Sequence, residues 1–259
     1  PRAARRRLLP TLAIAVIAIV PFLPSLRGVF LYDDRPLIVD NPYIHRLHWF
    51  ARWFTSDFWN ITGTTAGNHH VGYWRPLVTA SYALDWQISS APFVFHLTNL
   101  LLHAAVCVLA FVALRRWLAA TWPAFAAAAL FAVHPTKAEC VAWISGRTDL
   151  MCALGLLLAG EGIARRLRGT RGGIALELAG TIVAYLSKEQ AVVLPVFACV
   201  EAWVVLGRPA IDLPTAKRAL RTALPQLGVA VAYVVVRAVL LPIGAATPIP
   251  LLDHVTSVL

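Results

Sequence analysis

Apolar residues along this chain come in long blocks separated by short polar stretches, the pattern of helices buried on all sides rather than of one-faced helices on a soluble core. Crossing a bilayer takes roughly 20 mostly apolar residues. On that criterion seven segments qualify, at about 8–26, 96–114, 118–134, 150–164, 174–187, 190–206 and 223–243. Several are short, which leaves their ends open. Short cytoplasmic loops collect Lys and Arg, and the clusters Arg2, Arg5, Arg6 and Arg7; Arg115 and Arg116; Arg165, Arg166, Arg168 and Arg171; and Arg208, Lys217, Arg218 and Arg221 all fall on one side of this arrangement. The first segment could instead be a signal peptide. Its apolar run exceeds the usual core of about 7–15 residues and lacks a small-residue cleavage site, so an anchor is the expected reading.

Composition agrees. Of 259 residues, 59% are hydrophobic and 14% charged, and mean hydropathy is +0.68; the class is an all-α polytopic membrane protein. A net charge of +10 raises nucleic acid as a partner, but the basic residues lie in short clusters between apolar blocks, without a nucleic-acid motif. Cys107, Cys152 and Cys199 lie in apolar segments and Cys140 in a linker. Their spacing implies neither a disulfide framework nor a metal or redox site. The chain starts at Pro1 and stops at Leu259 with no polar tail, so it reads as a fragment of a longer protein.

With this topology, polar sequence collects on the opposite, non-cytoplasmic face: a long first loop at 27–95, a second at 134–149, and a tight turn at Ser187, Lys188 and Glu189. The first loop holds Trp49, Trp53, Trp59, Trp74 and Trp86. In "HRLHWFARWFTSDFW", His45, Trp49 and Trp53 share a helical spacing, as do Phe50, Phe54 and Phe58. That predicts an amphipathic helix at the membrane surface, with headgroup anchoring as the plainer role of the aromatics and sugar stacking a secondary one.

The stretches "FLYDDRPLIVDNPYI", "YWRPLVTASYALDW", "FHLTNLLLHA", "LFAVHPTKAECVAWISGRTDLM" and "LSKEQAVVLP" succeed one another in order, each at that same face. Together they resemble the membrane-embedded part of the transmembrane and tetratricopeptide-repeat O-mannosyltransferase family and its bacterial relatives, of the GT-C class of lipid-sugar-dependent glycosyltransferases. The resemblance covers most of residues 28–200 and implies a GT-C core in one domain, 1–259, whose further helices and repeats are not in this chain. It implies an inverting transferase that moves a hexose, with mannose expected, from a polyprenyl-phosphate-linked donor to a protein Ser or Thr hydroxyl. The partners are then that donor, an acceptor protein and the bilayer, with no nucleic acid. No cofactor is expected, and dependence on a divalent metal is open. The Ala- and Arg-rich composition points to a bacterial inner membrane with the active face periplasmic; in a eukaryote the counterpart is the lumenal face of the endoplasmic reticulum. The competing class is a non-catalytic scaffold or lipid-linked-sugar transporter of the same fold. Transporters place polar, broken helices at mid-membrane, whereas here the polar residues crowd one face.

The chemistry fits particular residues. An acceptor hydroxyl, with a pKa far above 7, needs a positioned carboxylate, and Asp33 or Asp34 stands just beyond the first apolar segment. Either could be the base; the pair could also cap the first span or ion-pair with Arg35. The departing phosphate needs cations, for which Arg75, Arg147, Lys188 and Arg237 are candidates. Arg237 lies within an apolar segment and is costly unless matched; pairing with Glu189 and snorkelling are its structural alternatives. If 139–147 is helical, Glu139, Trp143 and Arg147 form one row, a pocket wall or a packing row. The resemblance adds His134, Asp149 and Glu189 to the substrate-binding set. His96, Asn99 and His103 share a face of the second segment, but the two histidines are about 10 Å apart along it, too far for one metal ion. Interhelical hydrogen bonds are expected there. Asn60, Ile61 and Thr62 match a glycosylation acceptor, a pattern common by chance.

Overall fold

The computed structural model describes residues 2–59, 72–208, 210 and 212–241, which leaves the Asn60 to Thr62 tripeptide outside. Among the described residues all regular structure is helical. The elements are α1 (Arg2–Ile19), α2 (Phe50–Thr55), α3 (Pro76–Ile88), α4 (Pro92–Leu118), α5 (Thr121–Val133), α6 (Lys137–Ala142), α7 (Arg147–Leu167), α8 (Gly173–Tyr185), α9 (Leu194–Val205) and α10 (Leu213–Leu240).

Each apolar segment of the sequence falls on a helix, yet length divides them. Leu8–Arg27, which runs from α1 into a 3-10 stretch, together with α4 and α10, is long and apolar enough to span a membrane. Helices α5 and α8 have 13 residues each and α9 has 12, short of the roughly 20 required, and α7 carries Glu161, Arg165 and Arg166. The expected seven spans are therefore not reached by these criteria among the described residues.

Small residues let the helices approach. Ala124, Ala128 and Ala132 of α5 pack with Ile14, Ala18, Cys107 and Phe111 of α1 and α4. Helices α7 and α8 meet backbone to backbone: a Cβ on Gly155 would stand 2.7 Å from the Gly180 carbonyl oxygen, and one on Gly162 would collide with the Glu177 backbone. This is small-residue helix packing of the kind membranes favour.

Polar contacts gather at the two ends of the bundle. At the basic end, Arg116 pairs with Glu161 and Glu201, and Arg166 grips Glu177 through two bonds of 2.6 and 2.9 Å while Gln226 donates to the same carboxylate. These arginines are thus interhelical clasps as well as a charge pattern. At the other end the first loop folds on its own core, in which Leu37, Ile38, Ile44, Trp53, Phe58, Val78, Tyr82 and Phe95 are buried. This corrects the expected amphipathic surface helix. Only the six residues of α2 are α-helical, and Ser56 is extended. The indole of Trp53 donates to the Tyr43 carbonyl at 2.8 Å and that of Trp74 to the Phe54 carbonyl at 2.9 Å. Buried tryptophan needs a partner for its N–H, and the loop backbone supplies one, so these rings hold the loop together.

Candidate functional site

The site begins where the first spanning segment ends. At Gly28 the backbone turns extended, and a Cβ there would lie 2.5 Å from His96 Nε2 of α4; only glycine permits that passage. Three residues on, the chain makes a tight turn. Leu31 N–H donates to Asp34 Oδ2 and Asp34 N–H to the Leu31 carbonyl, both at 2.9 Å. Between these clamps Tyr32 is held at φ +45°, a left-handed conformation that a non-glycine residue keeps only when its surroundings enforce it. Asp33 lies at this tip.

The two aspartates differ sharply. Asp34 is 1% exposed, and its Oδ1 also accepts from Ser145 N–H at 2.9 Å and Ser145 Oγ at 2.5 Å. It joins the first loop to the second. Asp33 is half-buried, and its carboxylate accepts no hydrogen bond and makes no ion pair among the described residues. Arg35 pairs with neither.

Burial pushes the Asp34 carboxyl above its ordinary 3.8, with the Ser145 and Leu31 hydrogen bonds opposing and the Asp33 charge adding to the rise. The folded chain therefore holds this proton more tightly than the unfolded chain. The stabilisation is complete below the unfolded value and is lost as pH climbs through the window above 3.8. Thermal stability of Asp34→Asn is expected to fall less than that of the wild type as pH rises from about 4; parallel curves in a pH series of thermal melts would exclude this role for Asp34.

Beyond Ser145, the chain enters α7 at Arg147, which is fully buried. Its guanidinium lies 2.6 Å from Asp85 Oδ2 and donates to Asn99 Oδ1 at 2.8 Å, the Phe95 carbonyl at 2.9 Å and Ser81 Oγ at 3.1 Å. The rings of Tyr82 and Phe95 flank it. Asn99 donates in turn to the Trp143 and Ile144 carbonyls. A buried polar knot thus fixes the loop that grips Asp34. The expected Glu139, Trp143 and Arg147 row does not form, because α6 ends at Ala142 and Trp143 is extended at ψ 125°. Glu139 is exposed, and Trp143 donates to the Leu31 carbonyl at 3.4 Å.

The remaining candidates are brought to the same end, where Lys188 and Arg75 are matched to Asp149 and Glu189. Lys188 binds Asp149 at 2.6 Å. Arg75 binds Glu189 through Nε at 3.2 Å and its terminal nitrogen at 2.8 Å. Arg237 reaches the first loop, donating to the Gly72 carbonyl at 2.7 Å, rather than Glu189. His134 is exposed, its Nδ1 2.8 Å from Thr136 Oγ1. On α4, His103 contacts the Ala132 carbonyl at 3.0 Å, an interhelical bond of the expected kind, whereas both ring nitrogens of His96 lack a partner among the described residues. Sequence reasoning assigns nothing to Ser145, Asp85 or Lys137. For Asp85 a signal exists: a carboxylate within the apolar run of α3 needs a buried cation.

Comparison with known proteins places relatives beside this geometry. The chain is 38% identical over 159 residues to the protein O-mannosyl-transferase Tmtc2 of Drosophila melanogaster, an alignment covering 61% of this chain and 17% of that protein. It is 34% identical over 180 residues to Tmtc1 of the same species, covering 69% and 21% respectively. The human protein O-mannosyl-transferase TMTC4 shares 34% identity over 172 residues, covering 61% and 23%. The chain thus spans about a fifth of the length of these curated relatives. No family model and no solved structure matches it.

Proposed function

We propose, from homology to the transmembrane and tetratricopeptide-repeat O-mannosyltransferase family, that this chain carries the catalytic centre of a membrane glycosyltransferase. The enzyme transfers mannose from a polyprenyl-phosphate carrier to a Ser or Thr hydroxyl of an acceptor protein, at the face opposite the basic clusters. That face is periplasmic in a bacterium and lumenal in a eukaryote. The supporting observation is the pairing of a free carboxylate, Asp33, with a fully engaged neighbour, Asp34, at the tip of a clamped turn.

In the proposed step Asp33 takes the acceptor hydroxyl proton as the oxygen attacks the anomeric carbon. The bond from that carbon to the carrier phosphate breaks with its electron pair on the phosphate. One displacement inverts the anomeric centre. Asp34 does not touch substrate; it positions Asp33 by tying the turn to Ser145. Arg75, Arg147, Lys188 and Arg237 hold the loops over the bundle, the first three with Glu189, Asp85 and Asp149 as counter-charges and Arg237 through the Gly72 carbonyl, and His134 and Glu139 stand on the exposed rim of the second loop.

The test is transfer by the purified full-length protein, supplied with polyprenyl-phosphate mannose and Ser- or Thr-containing peptides. A peptide mass increase of one hexose, dependent on the lipid donor, is the expected result. No transfer from any lipid-linked hexose to any hydroxyl acceptor would overturn the reading.

A further inference from the structure

A cavity of about 460 Å³ opens between α4, α5, α6, α7 and the 3-10 turn Glu189–Val193, a volume within the roughly 300–1,000 Å³ typical of ligand sites. Lys137, Cys140, Asp149 and Gln190 supply polar lining, and Val106, Phe131, Leu156 and Val193 supply apolar wall. Leu156 lies seven residues beyond Asp149 on α7, about 10 Å deeper along the axis.

Charge singles out one lining residue. Asp149 is already bound to Lys188. Lys137 has no carboxylate within ion-pair distance among the described residues; its ammonium sits 4.5 Å from the centre of the Phe131 ring. Lys137 is half-buried, so water and the Phe131 ring share its charge, and an anion joined to an apolar body could take the place of that water. Of the cations that the sequence offered for phosphate, Arg75, Arg147 and Lys188 are paired with carboxylates, and Arg237 donates to the Gly72 carbonyl.

We infer that this cavity receives the phosphate end of the lipid-linked donor, with the phosphate against Lys137 and the first part of the isoprenoid chain along Val106, Leu156 and Val193. The choice of donor over bulk phospholipid rests on the proposed function and on continuity: the segment that begins with Lys137 at the start of α6 also carries Ser145, the residue that grips Asp34. The leaving group and the residue that positions the base would then be held by one segment.

The experiment measures binding by native mass spectrometry of the full-length protein, with geranylgeranyl phosphate as probe, geranylgeraniol as its uncharged counterpart and phosphatidylglycerol as competitor. Lys137→Gln is expected to weaken geranylgeranyl phosphate at least about tenfold, the scale of a hydrogen bond to a charged group. Binding of geranylgeraniol should not change, and Lys137→Arg should retain the phosphate. Ala153→Phe, which fills the cavity from α7, should weaken both prenyl compounds. Unchanged phosphate affinity in Lys137→Gln, or in Ala153→Phe, would overturn the site. Equal competition by phosphatidylglycerol would make it a phospholipid site and overturn the donor assignment. Because binding is read without turnover, failure here is separable from failure of the transferase reading, which is judged by transfer in the wild type.

Discussion

Asp33→Asn is expected to lower the transfer rate of the full-length enzyme by about 10²–10⁴-fold, the range attributed to a positioned general base, with its melting temperature close to that of the wild type. Asparagine keeps the size of the side chain and removes its ability to take a proton. The fold should tolerate this because the Asp33 carboxylate takes part in none of the contacts that hold the turn, which run through Asp34, Leu31 and Ser145. Asp34→Asn should behave differently: it keeps one acceptor oxygen for these bonds and leaves an amide nitrogen where an acceptor stood. Stability shifts and activity falls indirectly, with part of the loss recovered where the turn still closes. Transfer per monodisperse molecule, measured for both variants, decides between them. Near-normal turnover in Asp33→Asn would remove it as the base and return the non-catalytic reading of the fold.

Arg147→Met is expected to cost about 3–5 kcal/mol of stability, the penalty for removing one partner of a buried ion pair. The loss is large because one guanidinium satisfies Asp85, Asn99, Ser81 and the Phe95 carbonyl in a site closed to water. Methionine fills similar space but leaves the Asp85 carboxylate buried without a counter-charge. Combining Arg147→Met with Asp85→Asn should recover part of the loss, since much of the penalty belongs to that orphaned charge. Thermal unfolding of the two single variants and the double variant measures the coupling. If Arg147 instead met the donor phosphate, as its place in the sequence allowed, Arg147→Met would melt near the wild type and lose donor affinity; that result would displace the buried-knot account.

The five motifs that carry the resemblance lie in the loops at one end of the bundle and on the helix ends that bear them. The structure joins these loops through Asp34 to Ser145, Lys188 to Asp149, and Arg75 to Glu189. Each pair spans a long stretch of chain, so none could be read from local spacing.

By itself the sequence determined those features that solvent preference and order along the chain dictate. Long apolar blocks can be satisfied in a bilayer as helices whose backbone groups pair internally, so the all-α class and the helix positions were legible, as was the clustering of basic residues. Tertiary structure decided the rest. The length of each helix depended on where Gly, Pro and polar contacts stopped it, which sequence apolarity alone overestimated for the segments that became α5, α8 and α9. The fate of Trp53 and Phe58 depended on neighbours from α3 and α4 that bury them in the loop's own core. Above all, Asp33 and Asp34 are chemically identical neighbours in sequence. Burial and the hydrogen bonds of Ser145, more than a hundred residues away, set Asp34 apart from its neighbour, because burial and hydrogen bonding belong to the place a side chain occupies in the fold.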